Sequence, residues 1–251
     1  EEDKVETGTM EFDKDEFDSN LKKVMTKQLE IISEKIRSAK RPIIYAGPNI
    51  RTYDAYDEFK DLIEKLKIPV VTSWNAHDLI ETDSPLFVGR PGLRGERCGN
   101  WAVYASDLIL IIGEHLSIRQ IGYIEDNYAP NALKIMVDQD NQELHKPSIN
   151  IDIVIYANVK DFIGKLTKFI NYKPDIIREN WQKRTKEIWE KYKPSPLNYK
   201  SEQNINPYHF LFNLFDLLNG EETIIIGNGI SVVGAFQAAK IKGNQQMFQN
   251  Y

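Results

Sequence analysis

Cysteine and long apolar runs are the two features that this sequence has least of. Cys98 is the only cysteine among 251 residues, so the chain can form neither an intrachain disulfide nor a cysteine-based metal site. The longest apolar runs, such as DLILIIG at 107–113 and TIIIG at 223–227, have the length of strands and are too short to cross a membrane. The opening segment EEDKVETGTM also lacks the basic-then-apolar pattern of a signal peptide. We therefore expect a cytoplasmic protein with no membrane partner.

An excess of positive charge is missing as well. The net charge is −5, and the 32 lysines and arginines are spread along the chain. This leaves no basic face to neutralise a phosphate backbone, so nucleic acid is not expected as a partner. The composition, 41% hydrophobic and 27% charged, is ordinary for a globular protein, and the length is enough for one large core or two smaller ones.

Helical and strand-like patterns alternate from residue 21 to residue 170. Apolar residues at helical spacing predict a helix from Leu21 that ends before Arg41-Pro42, and further helices over 53–67, 98–106 and 159–170. Short β-branched runs predict strands at PIIYAG (42–47), 69–73, 107–113, 133–138 and 149–156. Short apolar strands separated by helices indicate an α/β fold, a doubly wound, parallel, six-stranded Rossmann-like sheet.

The pattern changes beyond Lys173. A highly charged helix over 175–193 leads into the proline-bearing linker KYKPSPLNYKSEQNINP, and a helix over 207–218, a strand at 223–227 and a helix over 232–240 follow. A single strand with its helices cannot bury its own faces, so we expect this last unit to be truncated. The predicted divisions are an arm (1–20), a central α/β domain (21–173), a helix and linker (174–205) and the start of a second α/β domain (206–251).

The loops that follow the predicted strands are the first candidate sites. Ligands of open parallel sheets bind at the carboxyl ends of the strands, where YAGPNIR, SWNAHD, GEHLSIRQ and VDQDNQE all lie. Each of these loops also has the glycine or carboxylate that a tight turn or a helix cap would require. None has the GxGxxG spacing, and Pro48 after Gly47 removes a backbone donor, so a simple NAD site is disfavoured.

Two further segments are rich in glycine. The loop FVGRPGLRGERCGNW at 87–101 contains four glycines and three arginines. Arg94 in it could pair with a diphosphate or tie the loop to an acidic neighbour. The turn GNGIS at 227–231 follows a strand and opens a helix, so its amides and hydroxyl could bind an anion, although a plain turn would have the same sequence.

The remaining reactive side chains give no site by themselves. The four histidines, His77, His115, His145 and His209, have no HxxxH or HExxH spacing, so we assign no metal ligand. Asp138 and Asp140 are better explained as a helix cap or as ligands of ribose hydroxyls than as an acid-base pair. No base lies at motif spacing from Cys98, so a catalytic thiol is not expected.

A resemblance to a known family is carried by five segments in chain order: RPIIYAG, IPVVTSWNAHDLIETDSPLFVGRPGLRG, SDLILIIGEHLSIRQIGY, KIMVDQDNQEL and GNGIS. Together they resemble the thiamine-diphosphate-dependent enzymes of the acetolactate synthase type. The resemblance covers residues 37–251 and lies in the order and spacing of the segments. Family members have pyrimidine-binding, central and diphosphate-binding domains. The resemblance implies that this chain holds the end of the first linker, the complete central domain and the opening of the third domain.

The resemblance also implies cofactor sites. Thiamine diphosphate with Mg²⁺ would be the cofactor of the longer enzyme, and its diphosphate would meet Gly227, Asn228, Gly229, Ile230 and Ser231. The central domain of family members holds FAD, an ADP-like ligand or nothing. The positions that match that second site are Gly47, Ser73, Trp74, Gly92, Arg94, Gly95, Gly113, Arg119, Asp138 and Asp140. Gly47-Pro48-Asn49 departs from the usual glycine-rich first turn, and Ala157-Asn158 replaces the usual Gly-Asp.

The activity that the resemblance implies is a lyase or transferase reaction. The longer enzyme would decarboxylate a 2-keto acid such as pyruvate and transfer the product to a second keto acid, an aldehyde or a nucleotide-linked keto sugar. The family's GDG metal motif and its activating glutamate are not in this sequence, so we assign no catalytic residue and no metal ligand, and expect the fragment alone to be inactive. A homodimer or homotetramer is expected. Two alternatives stay open: a stand-alone NAD- or adenine-nucleotide-binding module, and a purely structural scaffold.

Overall fold

The fold is described here for residues 24–124, 127–199 and 204–249 of a computed structural model. The predicted arm over 1–20 lies outside the described residues, as does the predicted helix start at Leu21. Met25 has extended backbone, with φ −86° and ψ 147°, and the first described helix begins at Thr26.

A five-stranded parallel sheet forms the centre of the chain. Its strands run in the order β2-β1-β3-β4-β5. Their bounds are β1 (Pro42–Ala46), β2 (Val70–Thr72), β3 (Leu108–Ile112), β4 (Leu133–Asp138) and β5 (Ile153–Tyr156). Every residue of β1 and β3 is buried, as expected for strands covered on both faces. The doubly wound parallel fold is therefore confirmed, and the order reverses between β1 and β3.

The expected count of six strands is corrected to five. The segment beside β2 makes a single parallel bridge, Phe87 to Val70, with Val70 N donating to Leu86 O at 2.7 Å and Val88 N to Val70 O at 3.0 Å. Gly89 follows at once with φ +114°, so the extended backbone ends before a strand can form.

The predicted strand over 149–156 is also shorter than expected. Lys134 N donates to the Asp152 carboxylate at 2.8 Å instead of to a backbone carbonyl of the neighbouring strand. The Asp152 side chain thereby takes the place of a ladder bond, and regular pairing begins at Ile153.

Helices cover both faces of the sheet. In chain order they are α1 (Thr26–Ser38), α2 (Asn49–Thr52), α3 (Tyr56–Leu66), α4 (Arg97–Ala105), α5 (Ile118–Ile121), α6 (Asn141–Leu144), α7 (Val159–Phe169) and α8 (Ile176–Tyr192). Helices α1, α3 and α7 pack on one face in one core, and α4 packs on the other face in a second core. Helix α8 contributes to both cores through Trp189 and Trp181, and Trp181 Nε1 donates to Pro42 O at 2.9 Å.

A second, smaller unit follows a 3-10 turn at Pro196–Tyr199. It contains α9 (Pro207–Leu217), β6 (Thr223–Ile226), α10 (Ile230–Ala238) and β7 (Gln246–Gln249), and β6 pairs in parallel with β7. The expectation of a single strand is thus corrected to a βαβ unit. Helix α10 begins at Ile230, two residues earlier than predicted, because Gly229 at φ +81° ends the preceding turn. Within the described residues, no helix has the length and apolar character needed to span a membrane.

The second unit packs directly on the central one. Trp74 stacks on Phe236 of α10 with ring centroids 3.9 Å apart and an interplanar angle of 7°. Side chains of the central unit accept hydrogen bonds from backbone N–H groups of β7. Met247 N donates to Asp78 at 3.3 Å, and Gln249 N donates to Asn75 at 3.1 Å.

Gly47 provides a test of the sheet's reversal point. A Cβ at this position would lie 2.2 Å from Gly113 O and 2.5 Å from Glu114 Cα, both fixed by backbone. We predict that Gly47→Ala lowers the free energy of unfolding by about 3 kcal/mol, measured by urea denaturation of the purified protein. Gly164→Ala is the matched control, because a Cβ there meets its nearest atom at 4.0 Å on a helix and should cost nothing. Equal stabilities of the two variants would contradict the prediction.

Candidate functional site

The reversal point between β1 and β3 is where a flavodoxin-like sheet holds its ligand. Gly47 and Gly113 meet here: Gly47 N donates to Ile112 O at 2.9 Å, and Asn49 N donates to Gly113 O at 3.1 Å. Gly113 has φ +60°, and a Cβ on it would lie 2.9 Å from Asn49 Cβ. Both predicted glycines therefore allow two turns of the protein to pack against each other, and the space between the strand ends is filled by the chain itself.

Glu114 lies buried beside this contact. Ser73 Oγ donates to one of its carboxylate oxygens, and Leu116 N donates to the other at 3.0 Å. Burial raises the pKa of Glu114 to about 7, although these hydrogen bonds oppose the shift. Ser73, predicted to contact a nucleotide, is thus bonded to a carboxyl group that sequence reasoning missed. The one local signal for Glu114 in the sequence was its place directly after Gly113, the glycine that ends an apolar strand.

Asp138 belongs to a polar network at the end of β4. Its carboxylate accepts from Asn49 Nδ2 at 3.0 Å and from Asp140 N at 2.9 Å, and His115 Nε2 lies 3.7 Å away. Burial would raise the pKa of Asp138, but His115 and these hydrogen bonds outweigh it and lower the pKa. Asp140 caps α6 by accepting from Gln142 N and Glu143 N at 2.9 and 3.2 Å. The helix-cap interpretation is therefore confirmed for Asp140.

The loop over 87–101 is closed by its own hydrogen bonds. Arg90 N donates to the Glu96 carboxylate at 2.9 Å, and Glu96 N donates back to Arg90 O at 2.7 Å. A Cβ on Gly95 would lie 2.5 Å from Arg90 O, and one on Gly92 would lie 2.7 Å from Arg119 O. Both predicted glycines thus serve the packing of the loop.

Cys98 is buried, and burial, with the Glu96 charge, raises the pKa of its thiol, which leaves it unreactive.

Open space lies instead at the boundary between the two units. A cavity of about 570 Å³ is lined by Trp74, Leu93, Arg94, Arg119, Tyr123, Asn228, Gly229, Val232 and Val233. It brings three of the predicted central-domain residues, Trp74, Arg94 and Arg119, to the predicted diphosphate turn. Arg94 and Arg119 are exposed, so the cavity has two cationic residues beside an apolar wall.

The GNGIS turn forms the other side of that cavity. A Cβ on Gly227 or Gly229 would meet nothing within 4 Å. The first backbone bond into α10 runs from Val233 N to Gly229 O at 3.3 Å, so the N–H groups of Ile230 and Ser231 lie before the helical ladder begins. Ser231 Oγ lies within hydrogen-bonding distance of Gly227 O and Asn228 O, at 3.0 and 2.9 Å. The turn thus presents open backbone and a helix N-terminus, which suits an anion.

The described residues contain no group of side chains that could bind a metal ion. Across residues 24–124, 127–199 and 204–249, no three His, Cys, Asp or Glu side chains are grouped to hold a metal ion. His77 is fully buried, packs edge-on against Phe236 at 5.1 Å, and has its pKa lowered by burial and by Arg90. The cavity instead offers two arginine side chains, open backbone amides and an apolar wall.

The buried Glu114 carboxyl should make stability depend on pH. Because its pKa is about 7 in the folded chain, the unfolded state releases this proton first as the pH rises. The group therefore stabilises the fold at low pH and loses about 3 kcal/mol of that contribution between about pH 4 and 8. Glu114→Gln should remove this part of the slope in denaturation measured across that range. Glu187→Gln, which removes an exposed carboxylate on α8, should keep the wild-type slope; identical slopes in all three proteins would rule the assignment out.

Comparison with known proteins places the chain in a family. The sequence profile described as "Thiamine pyrophosphate enzyme, central domain" matches residues 29–166. A probable acetolactate synthase large subunit of Methanocaldococcus jannaschii is 30% identical over 192 residues, which cover 76% of this chain and 32% of that protein. That of Methanococcus aeolicus is 34% identical over 146 residues, 58% of this chain and 24% of that protein. The acetolactate synthase isozyme 1 large subunit of Escherichia coli is 29% identical over 162 residues, which cover 64% of this chain and 27% of that protein.

The profile spans more than half of the chain and coincides with the five-stranded unit. The chain spans about a quarter to a third of the length of these curated relatives. This chain belongs to the thiamine pyrophosphate enzyme family, of which it carries the central domain, and it is similar to the large subunits of acetolactate synthases.

Proposed function

We propose that this chain is the central part, with the start of the diphosphate-binding unit, of a thiamine-diphosphate-dependent enzyme. The longer protein would decarboxylate a 2-keto acid such as pyruvate and transfer the resulting two-carbon unit to an acceptor carbonyl. The observation that supports this most directly is the shared cavity, where Asn228 and Gly229 lie opposite Trp74, Arg94 and Arg119. The family membership and the similarity to acetolactate synthases agree with it.

The GNGIS turn fits the diphosphate of the cofactor. The N–H groups of Ile230 and Ser231 and the positive end of α10 would bind it, and Gly227 and Gly229 leave the space that a side chain would fill. When bound, the thiazolium ring supplies the electron sink for the carbon–carbon bond that breaks as CO₂ leaves. The residues of this chain bind and orient the diphosphate, while Trp74, Val232 and Val233 line the apolar side of the cavity and exclude water.

A flavin does not fit the reversal point of the central sheet. Its place between β1 and β3 is filled by the Gly47–Gly113 contact and by Glu114, and the carboxylate of Asp138 is bonded to Asn49 and to Asp140 N. We propose that the central unit holds no dinucleotide at this edge and acts there as a scaffold. The alternative of a stand-alone nucleotide-binding module is not favoured on the same ground.

Three further properties are proposed on the family resemblance. They are Mg²⁺ as the ion that accompanies the diphosphate, a homodimeric or homotetrameric assembly, and a cytoplasmic location. The metal ligands would lie outside the residues described here, since these contain no grouped carboxylates at the GNGIS turn. Sedimentation of the longer protein as a monomer would exclude the proposed assembly.

The proposal that the central unit is a scaffold without a dinucleotide predicts a protein that has no flavin absorbance. The longer protein, purified and then dialysed after incubation with excess FAD, should show no visible flavin band, because the reversal point is closed by backbone. Glu114→Ala should also show no flavin band, because it leaves the Gly47–Gly113 backbone contact in place. A stoichiometric flavin in the wild-type protein would show that the scaffold proposal is wrong.

The enzyme proposal predicts CO₂ release from pyruvate or another 2-keto acid that depends on thiamine diphosphate and Mg²⁺. Gly229→Ala should raise the dissociation constant for thiamine diphosphate by about tenfold, ~1.4 kcal/mol, because the added methyl group strains the turn and enters the open space beside the cofactor. Release of CO₂ and titration calorimetry measure the two effects.

Gly220→Ala is the matched control for backbone strain. Gly220 also has a positive φ, +103°, but a Cβ there would touch Lys242 at 3.5 Å, away from the GNGIS turn. This variant should lose stability and keep its cofactor affinity. The absence of CO₂ release from every 2-keto acid tried would overturn the proposed reaction.

A further inference from the structure

Arg90 is a buried cation at the boundary between the two units. Its side chain is 1% exposed and is the largest fully buried side chain of the described residues. One guanidinium nitrogen donates to Glu96 Oε1 at 3.2 Å, and the other donates to Ala239 O at 3.0 Å and approaches Thr82 Oγ1 at 3.4 Å. Arg90 therefore joins a loop of the central unit to a helix end of the second unit.

The contact is made at the C-terminus of α10. Ala239 is the C-cap of that helix, and its carbonyl has no partner within the helical ladder. A cation at this end also interacts favourably with the helix dipole. Thr82 strengthens the contact, because Ile241 N donates to Thr82 Oγ1 at 2.9 Å and Thr82 N donates to Ile241 O at 3.0 Å. The helix end is thus fixed on the central unit by several hydrogen bonds.

The opposite end of the same helix carries the GNGIS turn. Helix α10 has nine residues, so its two ends lie about 13 Å apart. The loop that Arg90 and Glu96 close also bears Arg94, whose carbonyl accepts from Gln237 Nε2 of α10 at 2.6 Å. A single loop therefore fixes the C-terminal end of α10 and places Arg94 at the cavity into which its N-terminal turn opens.

We propose that Arg90 is a positioning residue for the cofactor, which acts through α10. By holding Ala239 it sets the distance between the GNGIS turn and the opposite wall of the cavity, and so the fit of the diphosphate. The inference rests on the proposed function, because it assigns thiamine diphosphate to this turn. Arg90 lies about one helix length from the proposed cofactor and acts without contacting it.

The test measures cofactor affinity and stability separately, in the longer protein. Arg90→Met removes the hydrogen bond from Arg90 to Ala239 O and leaves only the longer one from Thr82 Oγ1 at 3.4 Å. It should raise the dissociation constant for thiamine diphosphate with Mg²⁺ by about tenfold in titration calorimetry. Arg90→Lys keeps the charge but lacks the forked donors, so about a threefold rise is expected. Arg90→Lys also provides the milder variant if Arg90→Met does not fold.

Phe162→Leu is the stability-matched control, since Phe162 is buried on α7 in the core on one face of the sheet. It should lower the unfolding midpoint as the Arg90 variants do, without changing the affinity for thiamine diphosphate. Wild-type affinity in folded Arg90→Met, or in Arg90→Lys if Arg90→Met does not fold, would overturn the positioning role and leave the proposed function intact. A wild-type protein that binds no thiamine diphosphate would overturn both.

Discussion

The buried ion pair between Arg90 and Glu96 is the constraint on which the arrangement of the two units depends. Removing two charges from water costs several kcal/mol per ion, so such a pair persists only where hydrogen bonds satisfy the rest of each group. Here the Glu96 carboxylate accepts from the backbone and the guanidinium of Arg90, and the guanidinium also donates to Ala239 O, so that Nε is the one buried Arg90 nitrogen without a hydrogen-bond partner among the described residues. Loss of either partner would leave an uncompensated charge, at about 3–5 kcal/mol. The loop, the edge of β2 and helix α10 are consequently positioned as one assembly.

The cavity beside the GNGIS turn does not lie where the sheet order would place a ligand. An order of β2-β1-β3-β4-β5 creates a crevice between β1 and β3, yet the Gly47–Gly113 contact and Glu114 fill that crevice. The open volume lies at the boundary with the second unit, where the GNGIS turn faces Arg94 and Arg119. In the proposed function, the central sheet would be a rigid support for a cofactor site beside it.

Sequence periodicity predicted the helices and strands well but not the contacts that decide the site. The bounds of β4 and α7 were predicted to within one residue, because apolar spacing is a local property. Strand β7 was missed, since QMFQ alternates weakly and becomes a strand only by pairing with β6 and by donating to Asp78 and Asn75. The roles of Glu114 and Arg90 depend on partners 41 and 149 residues away, which no local pattern contains.

Glycine content shows the same difference between local pattern and spatial context. The loop at 87–101 is the richest in glycine and contains Arg94, a candidate for pairing with a diphosphate, but a Cβ at Gly92, Gly95 or Gly99 would lie within 3 Å of backbone atoms. Those glycines are required by packing. At Gly227 and Gly229 a Cβ would meet nothing within 4 Å, so packing within the described chain does not account for them. The positive φ of Gly229, +81°, explains the glycine at that position, but neither packing nor a positive φ requires the glycine at Gly227, which lies just before the N-terminus of α10. A glycine that the fold does not need is the stronger indication of a ligand, and in this chain it favours the GNGIS turn over the loop.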